Sequence, residues 1–134
     1  MARILIVNDE LDLLELCQLT LCEAGYDAEI TTGGRKAVER ARRGDLDLIV
    51  VDWVMPDMDG NAVLARLKGG PETRDIPVLA MSALRDGKTR AHLAGADSFL
   101  AKPFGPDDLV NAVAQTLSSS RYNGKKTDPQ THPH

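Results

Sequence analysis

The stretch Leu48-Ile49-Val50-Val51-Asp52 constrains this chain more than any other. Four apolar residues in a row, three of them β-branched, predict a strand covered on both faces, because a strand with one wet face alternates instead. Such strands belong to parallel sheets enclosed by helices. Asp52 follows at once, which puts a carboxylate where the strand leaves the sheet, the edge at which open α/β sheets bind ligands. Pro56 and Asp59-Gly60 then force a turn before helical spacing resumes. An acid delivered by a rigid strand to a loop mouth is suited to hold a metal or to act as a nucleophile. The plainer reading is a loop cap.

The same plan recurs along the chain. Ile4-Leu5-Ile6-Val7 ends in Asn8-Asp9-Glu10, and Ile76–Met81 ends in Ser82-Ala83, with Pro77 near the strand start, where a missing donor matters least. Ser98–Ala101 ends in Lys102-Pro103-Phe104. Asp27–Thr31 is more polar than the other strands, so it belongs at a sheet edge. Between these lie helical patterns: Leu14, Cys17 and Leu21 up to Gly25; Ala37, Val38 and Ala41 between Gly33-Gly34 and Gly44; and Ala62, Val63, Leu64 and Leu67 up to Gly69-Gly70-Pro71. A fourth, capped by Asp86 and ending at Gly95, offers only Ala91, Leu93 and Ala94 for packing. The last starts near Pro106 and buries Leu109, Val110, Val113 and Leu117. Strands alternating with helices predict an α/β fold, a doubly wound five-stranded parallel sheet in the order 2-1-3-4-5.

Composition narrows the function. A chain of 134 residues allows one domain, placed at 1–118, and the polar stretch 119–134 has no apolar face and is expected to be disordered. Net charge is −4 with Lys and Arg scattered, against direct nucleic-acid binding. Cys17 and Cys22, five apart in one helix, point to different sides and do not bridge, which fits a reducing, cytoplasmic setting. The first strand begins too early for a signal peptide to precede it, and no apolar run spans a membrane. His92 reads as a surface residue, and His132 and His134 as weak metal candidates.

Taken together, the strand ends bring Asn8 and Asp9, Asp52, Ser82 and Lys102 to one edge of one parallel sheet. Two carboxylates and an amide suit a hard cation such as Mg²⁺. A hydroxyl and an ammonium suit a phosphoryl group, and Asp52 is then a nucleophile towards phosphorus. In this order and spacing, Ile4–Glu10, Asp52–Gly60, Met81-Ser82-Ala83, Gly95-Ala96-Asp97 and Lys102-Pro103-Phe104 make the chain resemble a receiver domain of two-component response regulators, of the stand-alone chemotaxis and cell-cycle type, over roughly Ala2 to Leu117.

The resemblance implies a flavodoxin-like domain of five βα units in which Asp52 takes a phosphoryl group from a histidine kinase or phosphotransfer protein. Asp9, Asp52 and the backbone carbonyl of Val54 would hold Mg²⁺, or another divalent cation such as Mn²⁺, with Asn8 acting through a water. Ser82 would hydrogen-bond the phosphoryl group, Lys102 would pair with it, and Phe99 would be the aromatic that changes rotamer. The implied output is a switch of the face formed by the fourth helix, fifth strand and fifth helix, read by an unknown partner protein, with a monomer that can dimerise when phosphorylated. Intrinsic phosphotransfer to Asp52 and slow autodephosphorylation are expected, rather than a conventional enzyme.

One departure matters. Asn8 stands where the family carries an acid, predicting weaker Mg²⁺ binding and altered phosphoryl turnover. Val54 and Leu84, at the rate-tuning positions, are apolar and offer nothing to orient an attacking water. The main alternative is a pseudo-receiver, a phosphorylation-independent protein-binding module of the same fold. A hydrolase with an Asp nucleophile would need an acid where Val54 stands or another general base, and a flavodoxin-like cofactor binder would need a phosphate-cradling loop after the first strand.

Overall fold

In the computed structural model, which describes the backbone of residues 1–125 and the side chains of residues 1–119, strands and helices alternate throughout. The order is β1 (Arg3–Val7), α1 (Leu11–Glu23), β2 (Asp27–Thr31), α2 (Gly34–Arg42), β3 (Leu48–Asp52), α3 (Gly60–Gly69), β4 (Val78–Ser82), α4 (Gly87–Ala94), β5 (Ser98–Ala101) and α5 (Pro106–Lys125). All strand pairs are parallel and the sheet runs β2-β1-β3-β4-β5. The apolar runs β1, β3 and β4 occupy the centre, where both faces are covered, and the mixed strand β2 takes an edge.

Side-chain alternation divides the core in two. Leu5, Val7, Ile49, Val51, Val78 and Ala80 pack against Ala37, Val38 and Ala41 of α2, Val63, Leu64 and Leu67 of α3, and Ala91 of α4. Ile4, Ile6, Leu48, Val50, Leu79 and Met81 meet Leu14, Cys17 and Leu21 of α1 and Leu109 and Val113 of α5. Each large aliphatic side chain buried in this way contributes roughly 1.5–3 kcal/mol. The same period carries past the strand ends. Asn8 and Asp52 follow Ile6 and Val50 onto the α1–α5 face, and Ser82 follows Ala80 onto the opposite one.

Four local features depart from the sequence expectations. Pro77 lies just before β4, where its carbonyl still accepts from Ile49 N at 3.0 Å. Asp86 precedes α4 but gives no side-chain cap; its carboxylate instead binds Arg90 Nε at 2.8 Å. In α5, Leu109 and Val113 are buried but Val110 and Leu117 only half so. The buried member unforeseen there is Thr116, whose hydroxyl bonds Ala112 O and Ser98 Oγ, each at 2.6 Å. The helix also runs on to Lys125, into the stretch 119–134 that was expected to lack structure. The expected disorder of 126–134, with His132 and His134, lies outside the described residues. Cys17 is buried, Cys22 exposed, and both are free. Among the described residues no helix is long and apolar enough to cross a membrane.

Candidate functional site

The C-terminal edge of the sheet is assembled by register. Val7 pairs with Val51, Asp52 with Met81 and Ser82 with Ala101. Asn8, Asp52, Ser82 and Lys102 therefore leave four adjacent strands at nearly one level. Lys102 N donates to Ser82 O at 2.9 Å, extending the ladder by one residue. Its Nζ then lies 3.0 Å from Asp52 Oδ2, and the Asp52 side chain is only 6% exposed. A carboxylate so enclosed is costly without a partner, and Lys102 supplies the pairing.

Asn8 is buried at the end of β1. Its Oδ1 accepts from Glu10 N at 3.1 Å, while Nδ2 has no hydrogen-bond partner. Asp9 beside it is exposed, and the Val54 side chain turns to solvent. Among the described residues no three His, Cys, Asp or Glu side chains gather as a metal cluster. Asp9 and Asp52 carry carboxylates at the ends of β1 and β3, and Val54 follows Asp52 by two residues. Carboxylate and carbonyl oxygens are hard donors of the kind that Mg²⁺ takes while keeping several waters.

Ser82 is buried on the opposite face, its Oγ accepting from Leu84 N at 2.9 Å. The first residue of α4 lies directly upon it. A Cβ placed at Gly87 would stand 2.8 Å from Ser82 Oγ and 3.3 Å from Cε1 of the half-buried Phe99. The hydroxyl and the aromatic ring thus both crowd the start of α4, and only glycine leaves the room.

Three contributors were not foreseen from sequence. Asp57, in the β3–α3 loop, accepts from Gly34 N at 3.2 Å and Arg35 N at 3.4 Å, capping α2 from a distance. Desolvation raises its pKa, but backbone N–H bonds from Gly34, Arg35, Asp57 and Met58 outweigh this and hold the carboxyl below its ordinary range. The hint was at the other end: α2 begins after Gly33, at φ 88°, with no capping side chain of its own. Trp53 is the second, buried against Gly60, where a Cβ would overlap the indole. Asp97 is the third in structural role, although its motif was noted. Its Oδ2 accepts from Val78 N at 2.8 Å and anchors the start of β4.

Beside Lys102 an apolar groove of about 450 Å³ opens between α1 and the β5–α5 turn, with Leu13, Leu16, Cys17 and Phe104 among its walls. Burial pushes the Cys17 thiol up, and the Lys102 charge opposes this only in part.

Residues 4–114 match the family described as the response regulator receiver domain. The DNA-binding dual master transcriptional regulator RpaA of Synechocystis is 36% identical over 87% of this chain and 49% of its own length. This chain spans about half the length of the curated relatives it matches. The signal receiver domain of a signal transduction histidine kinase from Syntrophus aciditrophicus superposes with a TM-score of 0.81 at 37% identity, covering 89% of this chain and 92% of that one. The receiver domain of the sensor histidine kinase PA1611 from Pseudomonas aeruginosa, solved with a magnesium ion coordinated in its active site cleft, gives 0.80 at 26% identity over 87% and 98%.

Proposed function

This chain belongs to the response regulator receiver domain family of two-component systems, and from that premise we propose that Asp52 is its phosphoacceptor and Mg²⁺, or another divalent cation such as Mn²⁺, its cofactor. The observation that carries the reading is the ion pair between Lys102 Nζ and Asp52 Oδ2 at the C-terminal edge of the sheet. An Asp52 carboxylate oxygen attacks the phosphorus of a phosphohistidine on a histidine kinase or phosphotransfer protein. The P–N bond breaks, its electron pair stays on the imidazole, and an acyl phosphate forms on Asp52. Such transfers depend on positioning and charge stabilisation more than on covalent help from the protein. Lys102 stands beside the carboxylate to offset charge on the phosphoryl oxygens. Asp9, Asp52 and the Val54 carbonyl would hold the cation, which when bound neutralises further charge.

The switch follows from what the new group attracts. Ser82 gives up its bond to Leu84 N to donate to a phosphoryl oxygen, and the packing of Gly87 and Phe99 upon it changes in turn. The α4–β5–α5 face is thereby biased between two arrangements and read by a partner protein. α4 suits this role because only Gly87 and Ala91 of its residues are buried. Val54 and Leu84 are exposed and apolar, so neither orients a water on the phosphoryl group, which favours a long lifetime. The other reading, a binding module that works without phosphorylation, draws on Asn8.

Intact mass after incubation with Mg²⁺ and acetyl phosphate tests the two. One added phosphoryl group in the parent and none in Asp52→Ala supports the switch. No addition at high Mg²⁺ supports the binding module.

A further inference from the structure

The proposed reaction leaves the amide of Asn8 without a task. Among the described residues its Nδ2 is the one buried side-chain nitrogen or oxygen lacking a hydrogen-bond partner. Leaving such a group unpaired costs about 1–3 kcal/mol, so its place in the site calls for a reason. The orientation of the amide is set by its neighbour. Oδ1 accepts from Glu10 N, and a flipped amide would turn N–H against N–H. The group left over is therefore the NH₂, which donates two hydrogen bonds and has no lone pair for a cation. Oδ1 keeps a second lone pair that a metal-bound water can use, so it is the NH₂ alone that lacks a task.

Its position says what it can meet. Val7 pairs with Val51 in parallel register, so Asn8 and Asp52 are the next neighbours, on the same face of the sheet and both buried. The two residues are strand neighbours, yet Nδ2 makes no bond to the Asp52 carboxylate, so this buried donor is matched by an oxygen of a further anion.

We infer that Asn8 is an anion-binding residue whose Nδ2 donates to an oxygen of the phosphoryl group carried by Asp52, a bond that an acid at this position could not donate. The inference rests on Asp52 being the phosphoacceptor. Three donors then hold the phosphoryl group: the neutral amide of Asn8, the ammonium of Lys102 and the hydroxyl of Ser82. The cation is left to Asp9, Asp52 and the Val54 carbonyl.

Trp53, the single tryptophan, is buried next to Asp52 and makes the site readable by fluorescence. The parent chain, Asn8→Ala and Asn8→Asp are titrated with Mg²⁺ alone, and then with beryllofluoride, a phosphoryl stand-in, at saturating Mg²⁺. Asn8→Ala is expected to weaken beryllofluoride about tenfold, as for one lost hydrogen bond to a charged group, and Mg²⁺ by much less. Asn8→Asp keeps the volume and the oxygen facing Glu10 N, so it guards against a misfolded Ala variant. It is expected to tighten Mg²⁺ and weaken beryllofluoride. Parent-like beryllofluoride affinity in both variants overturns the inference, as does equal weakening of Mg²⁺ and beryllofluoride in Asn8→Ala. A parent chain that binds no beryllofluoride and takes no phosphoryl group from acetyl phosphate overturns the phosphoacceptor reading, and this inference with it.

Discussion

Lys102 Nζ and Asp52 Oδ2 meet at 3.0 Å although the two residues end different strands, β5 and β3, with β4 lying between them. The contact depends on Lys102 continuing the β4–β5 ladder through Ser82 O before its side chain crosses to β3. Lys102→Met keeps much of the stem and removes the charge. It is expected to lower stability by about 1–3 kcal/mol, the range for stranding one partner of a charged hydrogen bond. Chemical denaturation checks the first effect. Phosphoryl uptake from acetyl phosphate, followed by mass, should fall with it.

Ser82→Ala separates chemistry from switching. The nucleophile and Lys102 remain, so Asp52 should still gain a phosphoryl group. The hydroxyl that links it to Gly87 and Phe99 is gone. Nuclear magnetic resonance is expected to show phosphoryl-dependent shifts at the Phe99 ring and α4 in the parent and their loss in the variant. Unaltered shifts at both would remove Ser82 from the switch.

Asp57 makes stability depend on pH at the α2 terminus. Its folded-state pKa is lowered, so its contribution is present above the unfolded value near 3.9 and is lost as pH falls through the folded one. Asp57→Ala should cost about 0.5–1 kcal/mol at neutral pH, the lower part of the capping range because the carboxylate is exposed. Thermal unfolding of parent and variant should converge in strong acid. A constant difference down to that pH would assign the effect to something other than the ionised cap.

Gly60→Ala tests the floor under Asp52. The added methyl would collide with the Trp53 indole, which cannot retreat because it is packed in the core. Overpacking of this kind costs about 1–3 kcal/mol. A shifted Trp53 emission together with a lowered unfolding midpoint is the expected result.

Much of this protein was legible in the order of its residues, for a physical reason. Leu48–Val51 and Ile4–Val7 are apolar without interruption because both sheet faces are covered, so the strands and their central places could be read directly. The polar ends of those strands named Asn8, Asp9, Asp52, Ser82 and Lys102 together. What resisted reading was less regular. Asp86 was a good cap by type, yet Arg90 one turn on took its carboxylate. Thr116 was polar by type, yet two short hydrogen bonds let it be buried.

The sequence by itself determined the element types, the sheet order and the set of side chains at its edge, since these follow from periodicity and from which residue follows each strand. The tertiary structure alone decided which atoms meet: the Lys102–Asp52 pair, Asp57 reaching back to α2, and the Asn8 amide turned so that its NH₂ is left over. Each joins separate segments or depends on a neighbour's hydrogen bond. Strand register and crossover packing set those relations, and no local pattern of residues encodes them.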